Sequence, residues 1–184
     1  MRNHSRLAEY QAASLIPGRR LSITPDNEAN FKDFQQWIRE SFEIDKPYDW
    51  NGCNLPRRVL DVGDGEELEN LQLKETESST QGRYIALSHC WGKSLPIKTT
   101  TKNLLEHSQN IRMSDLTQTF RDAVFLTRQF NIRYLWIDSL CILQDSRTDW
   151  ETESAKMGDY YGSSWLTIAA GMSTDGLKGC FAER

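Results

Sequence analysis

Three short hydrophobic runs mark the chain from residue 84 onward. They lie at residues 84–92, 134–143 and 165–170. In the middle run apolar side chains occupy both odd and even positions as far as Ile137, a pattern typical of a strand buried on both faces of a parallel sheet. Asp138 then interrupts this run. Because an unpaired buried carboxylate is costly, we expect Asp138 where the strand ends and meets a cleft or solvent.

Two segments with helical periodicity separate these runs. In the first, Ser114 or Thr119 is the predicted N-cap and Asn131 the predicted stop. In the second, Thr148 begins a capping box, and one continuous helix is expected to reach about Tyr161. The resulting order, strand, helix, strand, helix, strand, predicts right-handed crossovers and a parallel sheet.

The first half of the chain carries weaker signals. Residues 30–43 show apolar side chains at helical spacing, which predicts an amphipathic helix that docks on the domain. Residues 58–62 and 71–73 form a candidate hairpin. We therefore predict an α/β fold with a mostly parallel sheet flanked by helices and a helical and hairpin extension at the N-terminus. The predicted division is an extension over residues 1–54 and a domain over residues 55–184.

Composition and charge exclude several classes of function. The 184 residues, 38% of them hydrophobic, suit one compact domain. The net charge of -4 and the pI near 5.4 argue against nucleic acid as a partner. The apolar runs are shorter than the roughly 20 residues of a membrane span, and the polar start predicts no signal peptide. The four cysteines and three histidines lack zinc-ligand spacing, so we expect no metal and a reducing, cytoplasmic setting.

Polar side chains follow the predicted strands at one edge of the sheet. In open parallel sheets, ligands bind beyond the carboxyl ends of the strands, and helix N-termini at that edge attract anions. The residues that the topology sends there are Ser88, His89, Trp91, Gly92, Asp138, Ser139, Trp150 and Glu153.

Glu153 is the strongest candidate among them for a functional residue. A helical wheel places it on the apolar face with Trp150 and Tyr161, where a carboxylate is either paired or has a raised pKa. The alternative is a structural carboxylate near a helix N-terminus, paired with Arg121 or Arg147.

The other candidates also have two interpretations. His89 is an acid–base group or ligand, or else a hydrogen-bonded residue at the core boundary. Asp138 more naturally holds loops by accepting backbone hydrogen bonds than performs catalysis. Trp91 and Trp150 stack on a planar ring, or else cover the core. No Walker-type or Gly-x-Gly-x-x-Gly loop is present.

Several separate motifs occur in an order that resembles the fungal heterokaryon incompatibility (HET) domain. They are YIALSHCWG at 84–92, TFRDAV at 119–124, YLWIDSLCI at 134–142 with Gln144, Asp149-Trp150, and Glu153 through Met157 and Tyr161. The segment LPRRVLDV at 55–62 also resembles the region that leads into such domains, so the resemblance covers about residues 55–184.

The resemblance implies a cell-death effector of fungal non-self recognition with a TIR-like, flavodoxin-like fold. Some TIR domains hydrolyse NAD⁺ at the nicotinamide–ribose bond with a glutamate. Here Glu153 is the expected catalytic residue and Glu183 its rival. The expected substrate-binding residues are Ser88, His89, Trp91, Gly92, Arg121, Asp138, Ser139 and Trp150.

The sequence therefore leaves two hypotheses for the function. In one, the domain hydrolyses NAD⁺ or a related nucleotide without a further cofactor or metal. In the other, it is a signalling module without chemistry that self-associates, through the helix at residues 30–43 or an exposed sheet edge, and recruits a partner. In either case we expect a homo-oligomer on activation, a possible partner immune receptor, and neither nucleic acid nor membrane as a partner.

Overall fold

The computed structural model describes residues 28–44, 52–63, 69–92, 97–171 and 179–181, and every structural statement concerns these residues. The helices are α1 Glu28–Ile44, α2 Leu104–Gln109, α3 Gln118–Gln129, the single turn α4 Asp138–Cys141, α5 Arg147–Ser154 and α6 Met157–Ser163, with a 3-10 turn at Met113–Asp115. The strands are β1 Cys53–Asn54, β2 Arg58–Asp61, β3 Asn70–Glu75, β4 Gln81–Gly82, β5 Tyr84–Ser88, β6 Ile111–Arg112, β7 Tyr134–Ile137 and β8 Leu166–Ala169.

A six-stranded sheet in the order β6-β3-β2-β7-β5-β8 forms the centre of the domain. β5 pairs in parallel with β7 on one side and with β8 on the other. Ile85 is opposite both Leu135 and Leu166 in the two registers. The prediction of three parallel core strands is confirmed, and so is the end of β7 just before Asp138.

The prediction that the sheet is mostly parallel is wrong, because the sheet is mixed. β2 pairs antiparallel with both β7 and β3, and β6 pairs antiparallel with β3. The physical reason is the burial of β2, in which all four residues from Arg58 to Asp61 are buried. A strand with no exposed position needs neighbours on both edges, so the predicted hairpin adds to the sheet instead of lying outside it.

Helices cover both faces of the parallel part. The indole of Trp136 in β7 contacts the rings of Tyr160 and Tyr161 in α6, at centroid distances of 5.5 and 5.4 Å. Because side chains alternate along a strand, the face of Leu87 is opposite to that of Trp136. Just beyond Leu87 on that face, the His89 ring meets Phe120 of α3 at 4.9 Å.

The predicted ends of α3 are partly right. Asn131 ends the helix as expected, with a φ of 55°. The N-cap, however, is Thr117, whose side chain accepts a hydrogen bond from the backbone N–H of Phe120. Thr119 is fully buried in the first turn and faces the core instead of the helix end.

The second predicted helix is two helices. α5 begins at Ser146 as N-cap, not at Thr148, and ends after Ser154. A short turn follows, in which the N–H of Lys156 bonds to the carbonyl of Glu153, and α6 then begins. This break changes the helical phase, so a wheel drawn through both helices misassigns their faces.

The predicted amphipathic helix near the N-terminus is confirmed as α1, and it docks on α3. Phe31 contacts the rings of Phe125 and Phe181 at 5.5 and 6.2 Å, and the Gln35 side chain donates to the carbonyl of Gln129. Within the described ranges, no helix combines the length and apolarity that crossing a bilayer requires.

Replacement of Asn131 tests the left-handed turn that ends α3. Asn131→Val should lower the free energy of unfolding by about 1–2 kcal/mol, because a β-branched residue is strained at positive φ. Asn131→Gly should change it by less than about 0.5 kcal/mol. Urea denaturation followed by circular dichroism measures both.

The matched control is Asn110→Val, at an exposed asparagine with an extended φ of -160° after α2. A change within about 0.5 kcal/mol is expected there. An equal loss in Asn110→Val and Asn131→Val would contradict the role of the backbone conformation.

Candidate functional site

The carboxyl ends of β5 and β7 lie side by side, and their polar residues meet there. Leu87 is opposite Ile137 in the register. Ser88 and His89 follow Leu87 at this edge, and Asp138 and Ser139 follow Ile137 in the turn α4. The chain leaves β5 toward β7 on one side and later returns to β8 on the other, so this edge is the point where the strand order reverses. Such a point is where open α/β sheets bind ligands.

Asp138 is the centre of this strand-end cluster. The indole N–H of Trp91 donates to its Oδ2 at 3.0 Å, and the backbone N–H of Ser139 donates to its Oδ1 at 2.6 Å. His89 Nδ1 lies 3.8 Å from Oδ1, just beyond hydrogen-bond distance. Gly92, with a φ of 66°, provides the left-handed backbone that turns the chain after Trp91.

His89 is buried and lacks hydrogen bonds. Its side chain is 2% exposed, and neither ring nitrogen has a partner within the described part of the chain. Burial lowers the pKa of His89, although the Asp138 carboxylate acts in the opposite direction. The hydroxyls of Thr119 and Ser139 are also buried, and no other described residue hydrogen-bonds to them. Buried polar groups without partners are rare and call for an explanation.

The remaining expected binding residues are Ser88, Arg121 and Trp150. Ser88 is exposed, and its carbonyl accepts from the N–H of Ala170. Arg121, in the first turn of α3, donates to the carbonyl of Leu116 and to the side chain of Gln118. Trp150 is 52% exposed, so its predicted place on a buried apolar face of the helix is wrong.

Glu153 is buried in a different environment. Its side chain is 1% exposed. Oε2 accepts a hydrogen bond from the Tyr160 hydroxyl at 2.7 Å. Oε1 has no hydrogen bond from the part of the chain that the structure describes and lies 3.7 Å from Nζ of Lys156. The expected alternative partners do not contact it: Arg147 pairs with Glu151, and Arg121 is bound within α3. The rival, Glu183, lies outside the described residues.

The face of α5 that carries Glu153 also carries Asp149, one turn earlier. Both Arg57 and Arg58 pair with the Asp149 carboxylate, and the N–H of Leu143 donates to it at 2.9 Å. Burial alone would raise the pKa of Asp149, but these bonds outweigh burial and lower it. This carboxylate therefore stays ionised in the fold.

Arg58 is fully buried, and its guanidinium has three acceptors. Nε donates to the carbonyl of Cys141 at 2.7 Å, Nη2 pairs with Asp149, and Nη1 lies 3.3 Å from Glu75. Burial opposes the charge of Arg58, yet these acceptors and the nearby charge of Glu153 raise its pKa. The arginine thus joins β2, β3, the end of α4 and α5.

A groove of about 590 Å³ lies beside this ionic network. Tyr160 and Lys156, the two residues that contact the Glu153 carboxylate, both line it. The full lining is Asn54, Leu55, Arg57, Thr76, Ser78, Tyr84, Lys156, Asp159, Tyr160 and Ser163. The groove therefore runs along α6 toward β1, which pairs antiparallel with β4 in a separate two-stranded ribbon.

Aromatic rings connect the groove to the strand-end cluster. Trp136 contacts both Tyr160 and Tyr161, and the Tyr161 hydroxyl donates to the carbonyl of Leu87. Burial, followed by the nearby Asp138 charge, raises the pKa of Tyr161 to about 12. The structure brings His89, Trp91, Asp138 and Ser139 together but surrounds Glu153 with other residues.

The ionic network was missed by reasoning from the sequence. Arg58 and Asp149 both stand in recognisable motifs, yet nothing local shows that they pair across 91 residues. One signal was available: Asp149 and Glu153 are spaced by four, which places both acids on one face of a helix. In the described part of the chain, no group of three or more His, Cys, Asp or Glu residues could hold a metal ion.

A family model described as "Heterokaryon incompatibility protein (HET)" matches residues 84–184, more than half of the chain. The chain belongs to this family. The match begins at the first residue of β5 and includes both the strand-end cluster and Glu153. Arg57 and Arg58 precede it, and the predicted domain start at residue 55 stays a prediction. No curated protein and no solved structure matches the chain.

Removal of the Asp149 charge tests the ionic network of this HET domain. Asp149→Asn should lower the free energy of unfolding by about 3–5 kcal/mol at pH 7, because it leaves buried Arg58 without its counter-charge. The folded pKa of Asp149 is lowered, so its stabilisation is present above the unfolded pKa near 4 and is lost as the pH falls further. The acid-induced loss of stability should therefore be shallower in Asp149→Asn.

The control is Arg147→Ala, which removes the exposed pair with Glu151. A change below about 0.5 kcal/mol is expected. Urea denaturation between pH 2 and pH 7 measures both variants, and equal effects of the two substitutions would contradict the role assigned to burial.

Proposed function

We propose that this HET domain is a cell-death effector of fungal non-self recognition that hydrolyses NAD⁺ at the nicotinamide–ribose bond in the manner of TIR domains. Family membership supports the role in heterokaryon incompatibility. The enzymatic part rests on Glu153. Its carboxylate is 1% exposed, and Oε1 has no hydrogen bond. The groove beside it is large enough for a ligand.

The reaction requires what a carboxylate in this position offers. The bond between C1′ of the ribose and the nicotinamide nitrogen breaks, and its electron pair leaves with the nicotinamide. The ribosyl group then has oxocarbenium character, which a nearby negative charge stabilises. Water adds to C1′ and loses a proton, so the products are ADP-ribose, nicotinamide and H⁺.

The strand-end cluster would hold another part of the dinucleotide. His89 and Ser139 offer buried hydrogen-bonding groups without partners, and Trp91 offers an aromatic ring. Arg121 stands in the first turn of α3, where a helix N-terminus and a cation both favour phosphate. Ser88, Gly92, Asp138 and Trp150 complete this proposed surface. The reaction needs no further cofactor, and we place it in the cytoplasm, in a homo-oligomer formed on activation with an immune receptor as a possible partner.

Glu153→Gln should reduce NAD⁺ cleavage about 100-fold or more while the variant stays folded. Glutamine keeps an oxygen that can accept from Tyr160 but lacks the charge. Chromatography of NAD⁺, ADP-ribose and nicotinamide after incubation with the full chain measures the rate, and thermal melting checks the fold.

The matched control is Glu151→Gln, on the same helix but exposed and paired with Arg147. Its rate should equal that of the wild type. If NAD⁺ stays intact after incubation with the wild-type protein, even when the protein is forced to oligomerise, the enzymatic proposal is refuted.

A second candidate function is a signalling module without chemistry. Two observations favour it: the Glu153 carboxylate is covered by Tyr160 and Lys156, as in a structural acid, and α1 presents Trp37, 36% exposed, beside Phe34. An aromatic pair on an outer helix is a suitable surface for self-association.

Trp37→Ser combined with Phe34→Ser distinguishes the two functions in cells. If the chain acts only by association, this double variant should lose toxicity, whereas Glu153→Gln should keep it. Leu105→Ser, at an exposed leucine 72% accessible on α2, is the control and should change nothing. Loss of toxicity in Glu153→Gln with toxicity retained in the double variant would eliminate the module hypothesis.

A further inference from the structure

The groove along α6 gives the approach to Glu153. The Glu153 carboxylate contacts the Tyr160 hydroxyl and the Lys156 ammonium, and both residues line the groove. A reacting atom must come within about 3–3.5 Å of a catalytic group. If Glu153 acts, the groove is therefore an approach for its substrate that passes these two side chains.

We propose that this groove binds the nicotinamide mononucleotide half of NAD⁺, with Lys156 as the residue that selects for its phosphate. The inference rests on the proposed function and assigns one half of the substrate to a place that the strand-end residues do not occupy.

The size of the groove agrees with this ligand. Its volume of about 590 Å³ lies within the roughly 300–1,000 Å³ of small-molecule sites. One wall is α6, and the other is formed by the residues around β1 and the turn that contains Ser78. The thiol of Cys53 donates to the carbonyl of Ser163, which ties the two walls together at one end.

The lining provides a partner for each chemical group of the ligand. Tyr160, which is 9% exposed, is the lining ring that a planar pyridinium cation can contact, since Tyr84 is fully buried. Thr76 and Ser78 supply hydroxyls that can bond the ribose and the carboxamide. At the rim, Arg57 and Lys156 have side chains 50% and 49% exposed, so both cations can reach a phosphate from water.

Lys156 also covers the catalytic oxygen. Its ammonium lies 3.7 Å from Glu153 Oε1, which is close enough for attraction but is not a hydrogen bond. An arriving phosphate offers Lys156 a second anion at the rim. When the lysine moves to it, Oε1 becomes available to the ribosyl carbon. Substrate binding and exposure of the acid are thereby coupled in one flexible side chain.

The first test is a groove-filling variant. Ser78 is exposed in a turn at the groove wall, so Ser78→Trp should fold and obstruct the site. Titration calorimetry of the full chain with nicotinamide mononucleotide should show binding to the wild type that is at least 10-fold weaker in Ser78→Trp. Ser114→Trp, at an exposed serine outside the groove, should bind like the wild type. Absence of binding to the wild type, or equal binding by Ser78→Trp, overturns the assignment.

The second test concerns the phosphate. The wild type should bind nicotinamide mononucleotide at least 10-fold more tightly than nicotinamide riboside, and Lys156→Ala should remove most of this preference. Lys98→Ala, at another exposed lysine, should keep it. A preference that survives in Lys156→Ala overturns the role of Lys156, because a purely structural lysine would weaken both ligands alike.

The outcomes separate this inference from the proposed function. Binding that depends on the groove without NAD⁺ cleavage supports the site and refutes the reaction. Cleavage with an unchanged kcat/KM in Ser78→Trp supports the reaction and refutes the site.

Discussion

A single buried guanidinium holds the functional half of this HET domain together. Arg58 is fully buried, and a buried charge is tolerated only when it is paired and hydrogen-bonded. Its acceptors come from three distant segments: the carbonyl of Cys141, the carboxylate of Asp149 and that of Glu75. The fold must bring all three to one point, and this requirement fixes where α5 begins. Glu153, one turn later on the same face, is positioned as a consequence.

The mixed sheet explains how Arg58 reaches that point. Parallel strands end at the same edge, so the first residue of another parallel strand would lie at the opposite edge. β2 is antiparallel to β7, with Leu60 opposite Leu135, and its first residue therefore lies where β7 ends. The antiparallel hairpin thus delivers two arginines to the edge at which the parallel strands deliver Asp138. The same arrangement places Arg57 beside the groove.

Sequence patterns correctly predicted those features of the fold that depend on one residue and its neighbours. A carboxylate in an apolar run marked the end of β7 at Asp138, and Asn131 marked the end of α3, because each depends on one residue and its neighbours. The pairing of β2 with β7 depends on the burial of a whole strand and left no local signal. The N-cap at Thr117 was missed because tertiary packing buries Thr119. The helical wheel failed at Trp150 because the buried positions of α5 are the acids Asp149 and Glu153, whose ionic contacts an apolar stripe does not reveal. The turn at residues 155–156 shifts the helical phase only of the residues after it.

The two candidate clusters differ in whether their buried polar groups have hydrogen-bond or ion-pair partners. Around Arg58 nearly every charge has a partner, which is what stability requires. At the strand ends, His89 and Ser139 are buried with unmet hydrogen-bonding capacity, which stability alone would not select. Glu153 belongs to both descriptions, because one carboxylate oxygen is hydrogen-bonded to Tyr160, while the other has no hydrogen bond among the described residues and only the ion pair with Lys156. A residue anchored through one oxygen and held only by a half-exposed lysine at the other can keep a fixed position and still present charge to a ligand. That division makes Glu153 the most informative side chain in the domain.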